Sequence, residues 1–137
     1  MTTSTAIFWP IMAQVLLTYA IYVLVSVRRV GAVKAGTAKA SDFKVPFVEP
    51  EPSASVARNL ANQFELPVLF YVACISLFLT GGAGTAAVVV AWAFVLSRAA
   101  HAYVHVTSNR VGIRRRLFIV SLLINLAQWV LLAVHIA

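Results

Sequence analysis

Four long apolar runs, each ended by charged or turn-forming residues, organise this chain. The first covers residues 6–27 and stops at Arg28-Arg29. The second, residues 56–80, follows Pro50, Pro52 and the N-cap candidates Ser53 and Ser55. The third covers residues 85–106 and the fourth residues 117–136. Each is close to the ~20 residues that cross a hydrocarbon core of ~30 Å. Runs this long and this continuous predict helices and are too long for barrel strands. The pattern predicts an all-α membrane protein, a four-transmembrane-helix bundle forming one domain over residues 1–137. With no basic stretch before it and a double arginine behind it, the first run is expected to remain as a span and not to be a cleaved leader. The loop over residues 28–53 carries Gly31, Gly36, Pro46, Pro50 and Pro52 and is long enough to cover one mouth of the bundle.

Two of the runs are interrupted by polar side chains at helical spacing. Arg58, Asn62 and Glu65 stand at i, i+4 and i+7 in the second, and Arg98, His101 and His105 at i, i+3 and i+7 in the third. Each set is expected to share one helix face. Ionisable groups inside a membrane span are costly unless paired or facing a wet cavity, so they mark a candidate site. Because the second run starts where the third ends, the two stripes fall at the same depth.

Charge sets the orientation. Only 11% of residues are charged, against about 25% in soluble domains. The net charge of +7 could suit nucleic acid, but the basic residues gather at Arg28 to Lys44 and Arg110 to Arg116, between apolar runs, where lipid headgroups lie. No nucleic-acid partner is expected. The positive-inside rule places both basic loops in the cytoplasm and both termini outside. The short loops suggest a bacterial inner membrane. Cys74, the single cysteine, is expected to be a buried structural thiol.

Glu65 is the one acid expected within the membrane. An interhelical ion pair with Arg98 or Arg58 is one assignment, and an amine of a bound ligand is another. Arginine suits carboxylate ligands because its planar fork stays charged and binds in bidentate fashion. His101 and His105 have the spacing of a metal pair, yet no third ligand is evident except Glu65, and no metal is expected. Hydrogen bonding to a ligand or a neighbouring helix suits both better. His135 is expected near the membrane interface with Trp129.

In the run Arg58-Asn59-Leu60-Ala61-Asn62-Gln63-Phe64-Glu65-Leu66-Pro67, then Arg98-Ala99-Ala100-His101, then the basic start of the fourth segment, the chain resembles the MAPEG family. These are membrane-associated proteins of eicosanoid and glutathione metabolism. The resemblance implies a homotrimer of four-helix subunits, binding glutathione between neighbours near the cytoplasmic side. It implies that Arg58, Asn62 and Glu65 contact the glutathione backbone and its charged ends, with Arg98 and His101 beside them. Arg114 matches the family's arginine that stabilises the glutathione thiolate, which makes it the catalytic candidate. His105 stands where some members have a tyrosine, and Ala61 where enzymes of the family often have a further arginine. The implied activity is a glutathione-dependent transferase or peroxidase whose lipophilic small-molecule substrates arrive from the membrane lipids. The alternative is a structural or lipid-binding membrane protein whose polar stripes hold the oligomer together.

Overall fold

The computed structural model describes residues 4–45 and 48–137. It contains five α-helices and, among the described residues, no strand: α1 (Phe8–Lys34), α2 (Glu51–Asn62), α3 (Leu66–Leu79), α4 (Thr85–Val106) and α5 (Val111–Ile136). Four stretches are long and apolar enough to cross a membrane, with α2 and α3 together forming the second. The four expected spans are present, with different ends. The first continues to Lys34 and the fourth starts at Val111, so Arg114, Arg115 and Arg116 lie within the first turns of α5. The 27 residues of α1 reach about 40 Å, longer than the hydrocarbon core, and carry Arg28 and Arg29 past it.

The expected continuous helix over residues 56–80 is two helices. Pro67, near the start of α3, has no N–H for the carbonyl four residues back, and its ring disfavours helix at the residue before it. The chain closes α2 with tight i→i−3 bonds, Gln63 N to Leu60 O and Phe64 N to Ala61 O, both 3.0 Å. Glu65 then takes a non-helical conformation (φ −95°, ψ −102°) and α3 begins. The single face expected for Arg58, Asn62 and Glu65 is therefore broken between its second and third members. Asn59 and Gln63, with Ser53 and Val56, are the residues that α2 and its end bury.

Backbone and side-chain bonds gather three parts of the chain at one end of the bundle. Ser4 N donates to Ala83 O at 2.9 Å, and the His135 ring meets Thr80 O at 2.9 Å. Residues near both termini and the glycine-rich turn thus share an end. His135 belongs to that turn, with its ring packed over Gly82; a Cβ on Gly82 would lie 2.7 Å from it. At the opposite end Arg29 forms a bidentate ion pair with Glu49 (2.8 and 2.7 Å), and Ser53 donates to the same carboxylate at 2.6 Å. The Phe43 ring covers the Arg29 guanidinium.

Two apolar clusters flank a polar layer. The larger joins α3, α4 and α5 around Phe70 and Phe94, whose rings stack at 4.4 Å and 9°. The smaller joins Ile21, Val25, Val56 and Ala102. Cys74 is buried as expected, and Gln128 Nε2 donates to its sulfur at 3.3 Å. Ser97 and Ser121 bridge α4 to α5 at 2.9 Å. In lipid, where apolar burial gives little gain between helices, such polar bridges and close packing hold helices together.

Candidate functional site

The kinked second span and the start of α5 create a cleft against α4. A cavity of about 300 Å³ is lined by Arg58 and Asn62 of α2, His101 of α4, and Arg114, Arg115 and Phe118 of α5. Four of the sequence-selected residues, Arg58, Asn62, His101 and Arg114, thus line one cavity. Arg115, grouped in the sequence with the basic residues at the lipid headgroups, lines it too. Three guanidinium groups with no carboxylate among the lining residues give the cavity the character of an anion site.

Arg114 is held in place. Its Nη1 donates to Asn109 Oδ1 at 2.7 Å. Asn109 sits in the turn ahead of α5 with φ 47°, a left-handed conformation that asparagine tolerates better than most residues. The turn between α4 and α5 therefore orients the arginine at the mouth of the cleft.

Arg98 and His105 lie behind the cavity wall and do not line it. Arg98 is 0% exposed. Its Nη2 donates to the Asn62 carbonyl at 3.4 Å, an oxygen that the helix break leaves without a backbone donor. Its Nε and Nη1 have no partner in the subunit, and neither do His101 Nδ1 and His105 Nε2. Buried donors left open are expensive, and an unpaired buried charge more so. Three residues along two turns of one face of α4 thus carry open polar atoms.

Glu65 falls elsewhere. It is exposed on the subunit, at the non-helical start of α3, and does not line the cavity. The expected ion pair with Arg98 or Arg58 is absent within the subunit: among the described residues the one ion pair is Arg29 with Glu49. The helix break has turned Glu65 off the stripe that would have carried it there. His101 and His105 pack edge-on with ring centroids 5.7 Å apart, and no third His, Cys, Asp or Glu joins them among the described residues.

Sequence reasoning passes over Gln14 and names Asn59 and Gln63 without giving them a role; all three are buried in a hydrogen-bonded row that reaches His105. It also passes over Ser121, Asn125 and Gln128 of α5. Their spacing, i, i+4 and i+7, is the signal that finds them once neutral amides are weighted like charges.

No curated protein and no solved structure matches the chain significantly. The model of the MAPEG family matches residues 6–134 of the 137, spanning all four membrane crossings and every residue of the cleft. With its four apolar spans and the polar layer between α2 and α4, this chain belongs to the MAPEG family.

Proposed function

We propose that the protein is a glutathione-dependent transferase or peroxidase of the membrane, acting on lipophilic electrophiles. The observation that carries this reading is the cleft of Arg58, Arg114 and Arg115 with no acid in its lining, backed by the open donors of Arg98. That donor set fits a peptide-like anion with two carboxylates and an ionisable thiol. Glutathione, when bound, supplies that thiol as the nucleophile. Arg58 and Arg115 would hold the carboxylates by bidentate pairing. Arg114, fixed by Asn109, would stabilise the sulfur anion; a cation is needed there because desolvation alone favours the neutral thiol. Phe118 would shield the reacting end from water.

The working form in this proposal is a homotrimer, with both basic loops in the cytoplasm and both termini outside. Support comes from Glu65, an exposed acid well inside a membrane span, which requires cover from outside its own subunit. A neighbouring subunit would supply that cover and complete a cavity that is small for a ligand cleft. The same exposed Glu65 also supports a second reading, in which the polar residues serve only as oligomer glue.

Thermal melting of the purified protein across a glutathione titration separates the two, with Glu65→Gln as control. The expected outcome is a saturable rise in melting temperature that is lost in the variant. A flat wild-type response would leave the structural reading standing. Given binding, Arg114→Ala should lower conjugation turnover by roughly 10²-fold or more while changing affinity less. Unchanged turnover would remove Arg114 from the chemistry.

A further inference from the structure

Three side chains that the proposed chemistry does not use stand in a row behind His105. Gln14 of α1 is fully buried, and its Nε2 donates to Gln63 Oε1 at 3.0 Å. Gln63 Nε2 donates to Asn59 Oδ1 at 3.1 Å. Asn59 Nδ2 meets His105 Nδ1 at 3.1 Å, and Asn62 Nδ2 approaches the same nitrogen at 3.4 Å. An amide has one donating end and one accepting end, so the orientation of each link sets the next. Because Gln63 occupies the oxygen of Asn59, the Asn59 N–H is what remains for the imidazole. Two donors then converge on His105 Nδ1, which must be the bare nitrogen, and the ring proton sits on Nε2.

The row is open at both ends. Gln14 Oε1 is a buried acceptor without a partner, and His105 Nε2 is a buried ring nitrogen without one. A network that only satisfied its own polar groups would be expected to close on itself. This one leaves its last donor open on the same face of α4 as the open donors of Arg98.

We propose that Gln14, Gln63 and Asn59 are positioning residues: a one-way chain of amides that fixes His105 as the Nε2–H tautomer and so makes it a hydrogen-bond donor. His105 does not line the cavity of the single subunit; where the assembled site reaches it, a donor at that position selects a ligand that presents an oxygen, as a carboxylate or a carbonyl does, and disfavours an amine. The ligand half of this statement rests on the glutathione reading above. The tautomer half does not.

The test reads the tautomer directly and without ligand. The full-length protein is labelled with ¹⁵N-histidine, reconstituted in lipid nanodiscs, and its ring nitrogens are observed by NMR. His105 is assigned by the signal lost in His105→Gln. The wild type should show a single neutral form, with a pyridine-type Nδ1 and a pyrrole-type Nε2. Gln63→Met removes the middle link without removing volume, freeing Asn59 to turn either end toward the ring. The Nδ1–H form should then rise from a trace to a share comparable with the Nε2–H form. Gln14→Met, one link further away, should shift the balance in the same direction by less, and it decides the matter if Gln63→Met does not fold.

An Nδ1–H or doubly protonated ring in the wild type at neutral pH would overturn the proposal. So would a single Nε2–H form that persists in both variants. If the wild type binds glutathione, an equal mixture of tautomers should weaken apparent affinity about twofold, because only half the molecules offer the donor. A flat glutathione response beside the expected tautomer shift would sink the glutathione reading and leave the chain of amides established.

Discussion

The Phe70–Phe94 region and the Gln14–His105 region lie in the same bundle and are equally buried, yet they are held by different forces. Around Phe94, neighbouring side chains are apolar and the contact is one of shape. Around His105, α1, α2 and α4 meet through four directional bonds between amides and an imidazole. Lipid tails are as apolar as the first region, so its helices gain from dispersion and close fit more than from leaving water. The second region cannot be exposed to lipid without leaving polar groups unpaired. The apolar half can therefore vary in composition if volume is kept, while the polar half depends on atom-by-atom complementarity.

The largest effect should come from breaking the apolar half. Phe94→Ala removes one ring of the stacked pair from a fully buried position and should cost about 3–5 kcal/mol. Unfolding in mixed detergent micelles measures it. A loss well under ~1 kcal/mol would mean that the cluster collapses around the gap and is less closely packed than described.

The polar half should respond in the opposite sense at its most costly point. Arg98 is buried with two guanidinium nitrogens open. Arg98→Met keeps much of the stem and removes the charge, so the unliganded protein should become more stable, by up to about 1–4 kcal/mol, the range found when buried ion pairs give way to well-packed apolar groups, less what the long bond to the Asn62 carbonyl contributes. Any stabilisation by glutathione should vanish in the same variant. A strong loss of unliganded stability would show that Arg98 already has its partner in the assembled protein, such as Glu65 of a neighbouring subunit.

Much of this contrast is legible in the sequence, and the illegible parts have definite causes. The four spans follow from run length, and the α4 face of Arg98, His101 and His105 follows from spacing alone. The second span misleads because periodicity assumes an unbroken helix. Pro67 is visible in the sequence, but whether a proline kinks a helix or splits it depends on what satisfies the freed carbonyl. Pro67 frees the Gln63 carbonyl, and the break beside it also opens the Asn62 carbonyl, which Arg98 Nη2 meets in a tertiary contact that no local pattern encodes. Glu65 is thereby turned off the stripe, while Asn59 and Gln63 take the buried face. Gln14 is harder still: its one polar companion at helical spacing is Thr18, whose hydroxyl bonds the Gln14 carbonyl and not its amide, and the meaning of its side chain comes from α2.

The smallest effect belongs outside the membrane, where the same pairing chemistry is screened by water. Arg29 holds the Glu49 carboxyl below its usual range through the bidentate bond, partial burial opposes this, and the Ser53 hydroxyl adds to the lowering. A carboxylate depressed in the folded state contributes stability in full above the unfolded value of about 4.3, and loses it as pH falls through the lower folded value. Because Arg29 is 42% exposed, the contribution should be only about 0.2–1 kcal/mol. Glu49→Gln should therefore be less stable than wild type by that amount at neutral pH, and the gap should close in acid, once pH has fallen through the lowered folded value of the carboxyl. The readout is the rate of proteolysis at Lys39 and Lys44, which follow the end of α1 in the loop that this clasp ties down. A gap that persists unchanged in acid would show that Glu49 acts through packing and hydrogen bonding in its neutral form, and that the loop is held no differently from the amide row inside the bundle.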